Sequence, residues 1–267
     1  MRYYSILIFL LLSICQVNRS SANDTLKLNV EYLKVREQAY FETIKIKQAC
    51  LYIKAAGILK NIGEFEKAAL LLNSEVNVNS LPDTIKADYY FELALLSLLM
   101  DQPQQCLFNL YLMGSERSYR VIEVKMLALT SLKNHKDLET IINSNYNGNQ
   151  HEMLSEWLKS YQTVKFKDPL RAEWYSTFIP GWGQTYAGEF GEGLTSFALN
   201  AGSLVFMGYN FWVTRYITTF TLGSGLLEKF YNGGRRRSVI LATGYNENLK
   251  KDYTVKLINI LNKKRGE

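Results

Sequence analysis

The chain has 267 residues, 47% of them hydrophobic and only 4 of them proline; that composition excludes a disordered or collagen-like chain, leaves ample material for a core and favours long helices. The formal charge is +6, and the excess sits late: residues 228–267 hold ten Lys and Arg against four acids. Three cysteines with no CxxC and no Cys/His cluster exclude a structural zinc site.

At the start, MRYYSILIFLLLSICQVNRSSA places Arg2 before an apolar stretch at 6–14 and a small-x-small site at 20–22. This is the layout of a secretory signal peptide cleaved after Ala22. Nine apolar-rich residues are too few to span a bilayer. Cys15 offers lipidation as an alternative, although Ile14 before it is not the small residue such processing takes. Export would permit a disulfide between Cys50 and Cys106, the other reading being two buried free thiols.

Residues 26–167 carry apolar side chains at spacings of three and four, the helix period. Within them LYIKAAGILKNIGEFEKAALLLN (51–73) has a small residue at Ala56, a turn at Gly63-Glu64-Phe65 and a second small residue at Ala68. The layout returns at 92–110, with Ala94 small, Asp101 at the turn and Cys106 in the place of Ala68, and at 126–142, with Ala128 small and His135 at the turn. Small residues are needed where paired helices approach closely. The stretch resembles the tetratricopeptide repeat, although the Trp, Gly and Tyr of that family's signature are mostly missing. The resemblance implies an α-solenoid whose stacked helix pairs leave a concave protein-binding face. Tyr89, Tyr90, Phe91, Phe108 and Tyr111 are candidates to line it, with core packing the plainer reading.

No catalytic set emerges. Glu64 with Glu66 and Glu152 with Glu156 fall on helix ends or exposed faces, and His135 and His151 stand alone at a turn and a helix start. GxSxG, HExxH and a Ser, His and Asp set are all missing. The expectation is a protein with no catalytic residues, no cofactor and no metal.

Asp168-Pro169 opens a short helix, the Asp as cap and the Pro in the first turn. It leads into FIPGWGQTYAGEFGEG (178–193). A phosphate loop would need a preceding strand and a Lys followed by Ser or Thr, and neither is here. The chain beyond this motif is nearly uncharged: Arg215 is the single charge in residues 193–227, and residues 193–214 have none. At 1.5 Å per residue such a run can cross a hydrocarbon core about 30 Å thick. Trp182 and Tyr186 before it and Tyr209, Phe211 and Trp212 at its end suit the two interfaces. Gly202 and Gly208 would let another helix approach, while Asn200 and Asn210 argue against lipid all round. Residues 193–231 read as a helical hairpin with Arg215 near its turn.

The pattern Pro180, Gly181, Gly183, Gln184, Tyr186, Gly188, then Gly193 resembles the PGxGQxYxG membrane-hairpin domain of small bacterial envelope proteins, and is similar to the two-transmembrane-helix domain family. The resemblance covers about 75 residues and implies an architecture and a location, without catalytic residues. Some such proteins are associated with the membrane-protein insertion efficiency factor, which points toward membrane-protein biogenesis.

Topology stays open between three arrangements. Two crossings return the basic tail to the exported side, against the positive-inside tendency; one crossing by 193–214 satisfies it; a shallow hairpin with Arg235, Arg236 and Arg237 on anionic headgroups satisfies both the resemblance and the charge. The expected organisation is a signal peptide (1–22), a tetratricopeptide-like repeat domain (23–167), a membrane-hairpin domain with a basic helix (168–248) and a basic tail (249–267). The expected fold is all-α, an α-solenoid plus a C-terminal membrane-embedded hairpin. The protein is expected in the cell envelope, exported, with its repeat domain periplasmic. It would bind membrane lipid and a protein partner, and no nucleic acid. The alternative is an oligomeric channel or transport accessory in which the hairpin self-associates through Gly202 and Gly208, and Asn200, Asn210 and Arg215 line a polar path.

Overall fold

The computed structural model describes residues 22–114 and 118–263. The expected leader and Cys15 lie outside the described residues, except for Ala22 at the start of the first helix. The protein is all-α: every regular element among the described residues is helical. The chain divides into two compact units, Thr163–Tyr253 forming one and Met1–Gln162 with Thr254–Glu267 the other.

In the larger unit α1 (Ala22–Phe41), α2 (Lys45–Ile62), α3 (Phe65–Glu75), α4 (Asp83–Leu99), α5 (Pro103–Met113), α6 (Tyr119–Ser131), α7 (His135–Asn145) and α8 (Gly148–Gln162) follow one another through short turns. Each helix packs on the next, and α2 also meets α4, as α4 meets α6. The small residues singled out in the sequence lie where these helices meet: Ala56, Ala68, Ala94, Cys106 and Ala128 have no exposed surface. Around them Leu72, Leu96, Met126, Leu129, Leu138, Ile142, Leu154 and Tyr161 are fully buried.

Three turns are built alike. Gly63, Asp101 and Lys133 each take a left-handed conformation, with φ of 93°, 57° and 57°. The residue after each donates its N–H to a carbonyl five residues back: Glu64 to Leu59, Gln102 to Ser97, Asn134 to Leu129. This is the Schellman cap, which satisfies carbonyls that a helix end leaves without partners. The third turn therefore pivots on Lys133, two residues before His135. Asn134 then caps α7, its side chain accepting from the Asp137 N–H. Lysine carries none of the composition signal that marks a glycine turn, so the pivot is invisible in the sequence.

The residues after Tyr253, expected as a basic tail, are helical as far as Lys263 and belong to the larger unit. Leu257, Ile258 and Leu261 are buried there. Their spacing of one, three and four is an apolar helical stripe, which outweighs the basic residues between them.

Both cysteines of the described chain are free, Cys50 exposed and Cys106 buried. Burial pushes the Cys106 thiol up to about 12, so at neutral pH it is not a thiolate and not a nucleophile. A maleimide reagent should label one thiol among these two in the native protein and two after denaturation; the native label should vanish in Cys50→Ser and persist in Cys106→Ala.

Candidate functional site

In the smaller unit α9 (Pro169–Phe178), α10 (Trp182–Ala187) and α11 (Phe190–Trp212) lead to a turn, then a single helical turn at Tyr216–Thr218, a π-helical turn at Thr219–Gly223 and, as far as Tyr253, the long α12 (Ser224–Lys263). Asp168 caps α9, its Oδ1 accepting from the Leu170 and Arg171 N–H groups at 2.9 and 3.4 Å, with Pro169 in the first turn. The chain then turns at Gly181 (φ 94°) into the six residues of α10 and turns again at Gly188 (φ 106°) into α11.

Gly181, Gly183 and Gly193 of the motif stand at close contacts. A Cβ on Gly183 would lie 2.0 Å from the Ala172 carbonyl oxygen and 2.8 Å from Ser238 Cβ; one on Gly181 would lie 2.0 Å from the Gly193 carbonyl oxygen. Into the space so closed goes Gln184, 1% exposed. Its Oε1 accepts from Ser176 Oγ at 3.0 Å and its Nε2 donates to the Gly234 carbonyl at 3.0 Å. The Gly183 N–H in turn donates to Ser176 Oγ at 3.1 Å. One amide thus ties α9, α10 and α12 together, with both of its ends satisfied as burial requires.

The rest of the motif continues outward from that centre. Tyr186 rests edge-on against Tyr175 at 5.2 Å, its hydroxyl accepts from the Asp168 N–H at 3.1 Å, and Lys167 Nζ lies over its ring at 4.9 Å. Asn246 pairs with the Lys167 backbone twice, accepting at 2.7 Å and donating at 2.6 Å, and Tyr231 donates to the Thr177 carbonyl at 2.8 Å. These partners are 54 to 79 residues apart, and no local pattern announces such pairs.

The three arginines are not equivalent. Arg235 pairs with Glu173 at 2.8 Å, and Arg237 grips Glu192 with two bonds of 2.7 and 2.6 Å. The Arg237 bonds hold the Glu192 carboxyl below its ordinary range and raise the guanidinium in turn. Arg236 is exposed. The expected headgroup trio thus has two members engaged in ion pairs within the unit.

The hairpin runs antiparallel. Glu192 meets Arg237, Ser196 lies against Gly234, and Met207 against Gly223. Along this seam α11 buries Asn200, Ser203 and Asn210, and the returning chain buries Thr219, Gly223 and Ser238. Each polar side chain of the distal seam bonds back to its own helix four residues earlier: Asn200 to Ser196, Ser203 to Leu199, Asn210 to Phe206, Thr219 to Arg215. Asn200, 3% exposed, keeps its Oδ1 buried with no hydrogen-bond partner among the described residues.

The outward face is the reverse. Leu194, Phe197, Leu204, Val205, Tyr209, Phe211 and Trp212 are exposed on α11, as are Ile217, Phe220 and Leu222 on the return and Trp174, Phe178 and Trp182 before the hairpin. Arg215 is exposed at the turn, next to Thr214, which takes a left-handed φ of 61° unusual for a β-branched residue. Gly202 and Gly208, expected as contact points, have nothing within 4 Å of an added Cβ. The helix turns them away from the seam, which Asn200, Ser203, Met207 and Asn210 occupy.

The expectation that residues 193–214 can cross a bilayer is corrected here: among the described residues no helix is long and apolar enough to cross a membrane. The seam residues lower the apolarity of α11 as a whole, although they are the ones turned inward.

His135 stacks edge-on with Tyr161 at 5.0 Å, His151 contacts Asn143 at 3.0 Å, and among the described residues no group of three or more His, Cys, Asp or Glu is placed to hold a metal ion. No known family model matches the chain, and no curated protein or solved structure matches it either.

Two substitutions test this geometry. Gly183→Ala should destabilise the unit by about 1–3 kcal/mol or more, because backbone must move to admit the methyl, whereas Gly202→Ala, in open space mid-helix, should stabilise it by about 0.5–1 kcal/mol; denaturant titration reads both. Asn200→Leu should raise stability by about 1 kcal/mol by removing a buried unmet acceptor at similar volume, and an equal loss instead would mean that Oδ1 has a partner in solution.

Proposed function

We propose that this protein is a non-enzymatic, membrane-associated scaffold of a cell envelope. Residues 163–253 seat the chain on a bilayer, and the helices before them hold a protein partner near it. The observation that carries the reading is the inverted polarity of the hairpin, with asparagines and hydroxyls in its seam and aromatic and aliphatic side chains outside. In water that arrangement is unfavourable, since exposed apolar patches of this extent are rare on soluble monomers. In lipid it is what backbone and side-chain satisfaction demand, the polar groups bonding inward and the apolar ones facing the chains.

Magnitudes favour insertion over charge. Burying a side chain such as Trp212, Ile217 or Phe220 stabilises by about 1.5–3 kcal/mol, against about 1 kcal/mol for each cation held at an anionic surface. Because no described helix can cross a membrane, the hairpin is proposed to lie in one interface, with Trp174, Trp182 and Trp212 at headgroup level.

The partner-binding part rests on the larger unit. Its three matching turns and fully buried small positions support a tetratricopeptide-like solenoid, in which successive pairs would leave a surface for another protein's segment. Of the aromatic candidates, Phe108 and Tyr111 on α5 are exposed while Tyr89 is buried and bonds Asn73 at 3.2 Å, so Phe108 and Tyr111 are the ones to contact a partner. Export by the leader, a periplasmic position of the repeats and a place near membrane-protein biogenesis belong to the same proposal. The open surface at Gly202 and Gly208 favours a second reading, self-association of hairpins in the bilayer into a channel or transport accessory.

Fractionation of cells expressing the chain should find it in the membrane pellet, resistant to carbonate and released by detergent. Recovery as a soluble monomer without detergent would defeat the proposal. Crosslinking in the membrane then separates the readings: a homo-oligomer lost in Gly202→Leu and Gly208→Leu supports the channel, and a different protein captured through Phe108 or Tyr111 supports the scaffold.

A further inference from the structure

Resting on the membrane-surface reading above, we propose that the smaller unit recognises the uncharged acyl and interfacial layer of a bilayer and is indifferent to the charge of the lipid headgroups. The sequence invites the opposite, since Arg235-Arg236-Arg237 has the look of a polybasic anchor. The structure disposes of two of the three. Arg237 is held by Glu192 through two short bonds, and Arg235 by Glu173 at 2.8 Å while its guanidinium lies 5.9 Å from the centre of the Tyr231 ring. Each arginine is already balanced by its carboxylate, so each pair offers an anionic surface little net attraction.

The carboxylates add a second argument. Glu192 and Glu173 lie on the same unit as the proposed contact face, and an anionic surface would repel each as strongly as it attracts its arginine. These two pairs therefore present no net charge to a lipid surface.

The contact face itself is all but free of charge. Between Glu192 and Glu228 the single formal charge is Arg215. The large apolar side chains of the face are well exposed, Trp212 at 86%, Ile217 at 81% and Phe220 at 65% among them. Tyrosine and tryptophan prefer the layer between headgroup and chain whatever the lipid charge, because each has an apolar body and one polar atom.

The test uses the purified full chain with vesicles of phosphatidylcholine alone and of phosphatidylcholine with phosphatidylglycerol, each at about 50 mM and about 500 mM salt. Partitioning should agree within about threefold across the four conditions. Arg236→Gln should change it less than about twofold, and Trp212→Ala with Phe220→Ala should lower it by about tenfold or more. As a check free of any folding defect in that double variant, brominated phosphatidylcholine should quench part of the tryptophan emission of the natural chain, and the conservative Trp212→Phe should reduce that part by the share of Trp212, leaving the share of Trp174 and Trp182. Because the share lost comes from Trp212 itself, lipid contact made by residues 1–22 does not register in it.

Binding confined to the anionic vesicles and abolished by salt would overturn the inference while leaving the membrane reading intact. Failure to bind any vesicle, or a Trp212 signal untouched by brominated chains, would overturn both, and a dimer under those conditions would assign the face to a second copy of the chain.

Discussion

A primary amide shut away from water must find partners for both of its ends, and residues 163–253 are organised around one that does. Gln184 reaches Ser176 with its oxygen and the Gly234 carbonyl with its nitrogen, so α9, α10 and α12 have a single mutual arrangement in which neither end is stranded. The approach is close enough only because Gly181, Gly183 and Gly193 lack a Cβ. The Arg237 clamp on Glu192, the Arg235 pair with Glu173 and the Tyr231 bond to Thr177 then brace the base of the hairpin around that centre.

Away from this base the hairpin is held differently. Its distal polar side chains bond to their own helices, so the legs meet there by packing, Met207 against Gly223. The turn takes a β-branched Thr214 into a left-handed conformation, a position where glycine would cost less. The base is thus firmly bonded, while the tip is less bonded and largely apolar on its exposed side. The polar side chains turned into the seam explain why α11 as a whole falls short of a crossing helix, though its exposed face is mostly apolar.

In the larger unit three turns keep one geometry on three different residues. Gly63, Asp101 and Lys133 share one backbone conformation and one pattern of capping bonds. What a Schellman cap requires is a left-handed residue, and Asp or Lys can meet that at a modest cost when the flanking helices are fixed by their own packing. Small residues at Ala56, Ala94 and Ala128 are legible in the sequence because close helix approach admits little else. The Lys133 pivot is not, since nothing about a lysine says that it sits at φ 57°.

The sequence by itself determined that the chain is helical, because apolar spacings of three and four favour one backbone period. It also determined where small residues are buried and that the nearly uncharged stretch after the glycine-rich motif differs from the rest. Tertiary structure alone decided which side of that stretch faces inward, that Gly202 and Gly208 are open while Gly183 and Gly193 are not, and that two arginines of a basic triplet are already paired. The two ion pairs join residues 62 and 45 apart. Local pattern fixes a helix through bonds four residues apart, whereas burial and ion pairing depend on where the chain returns.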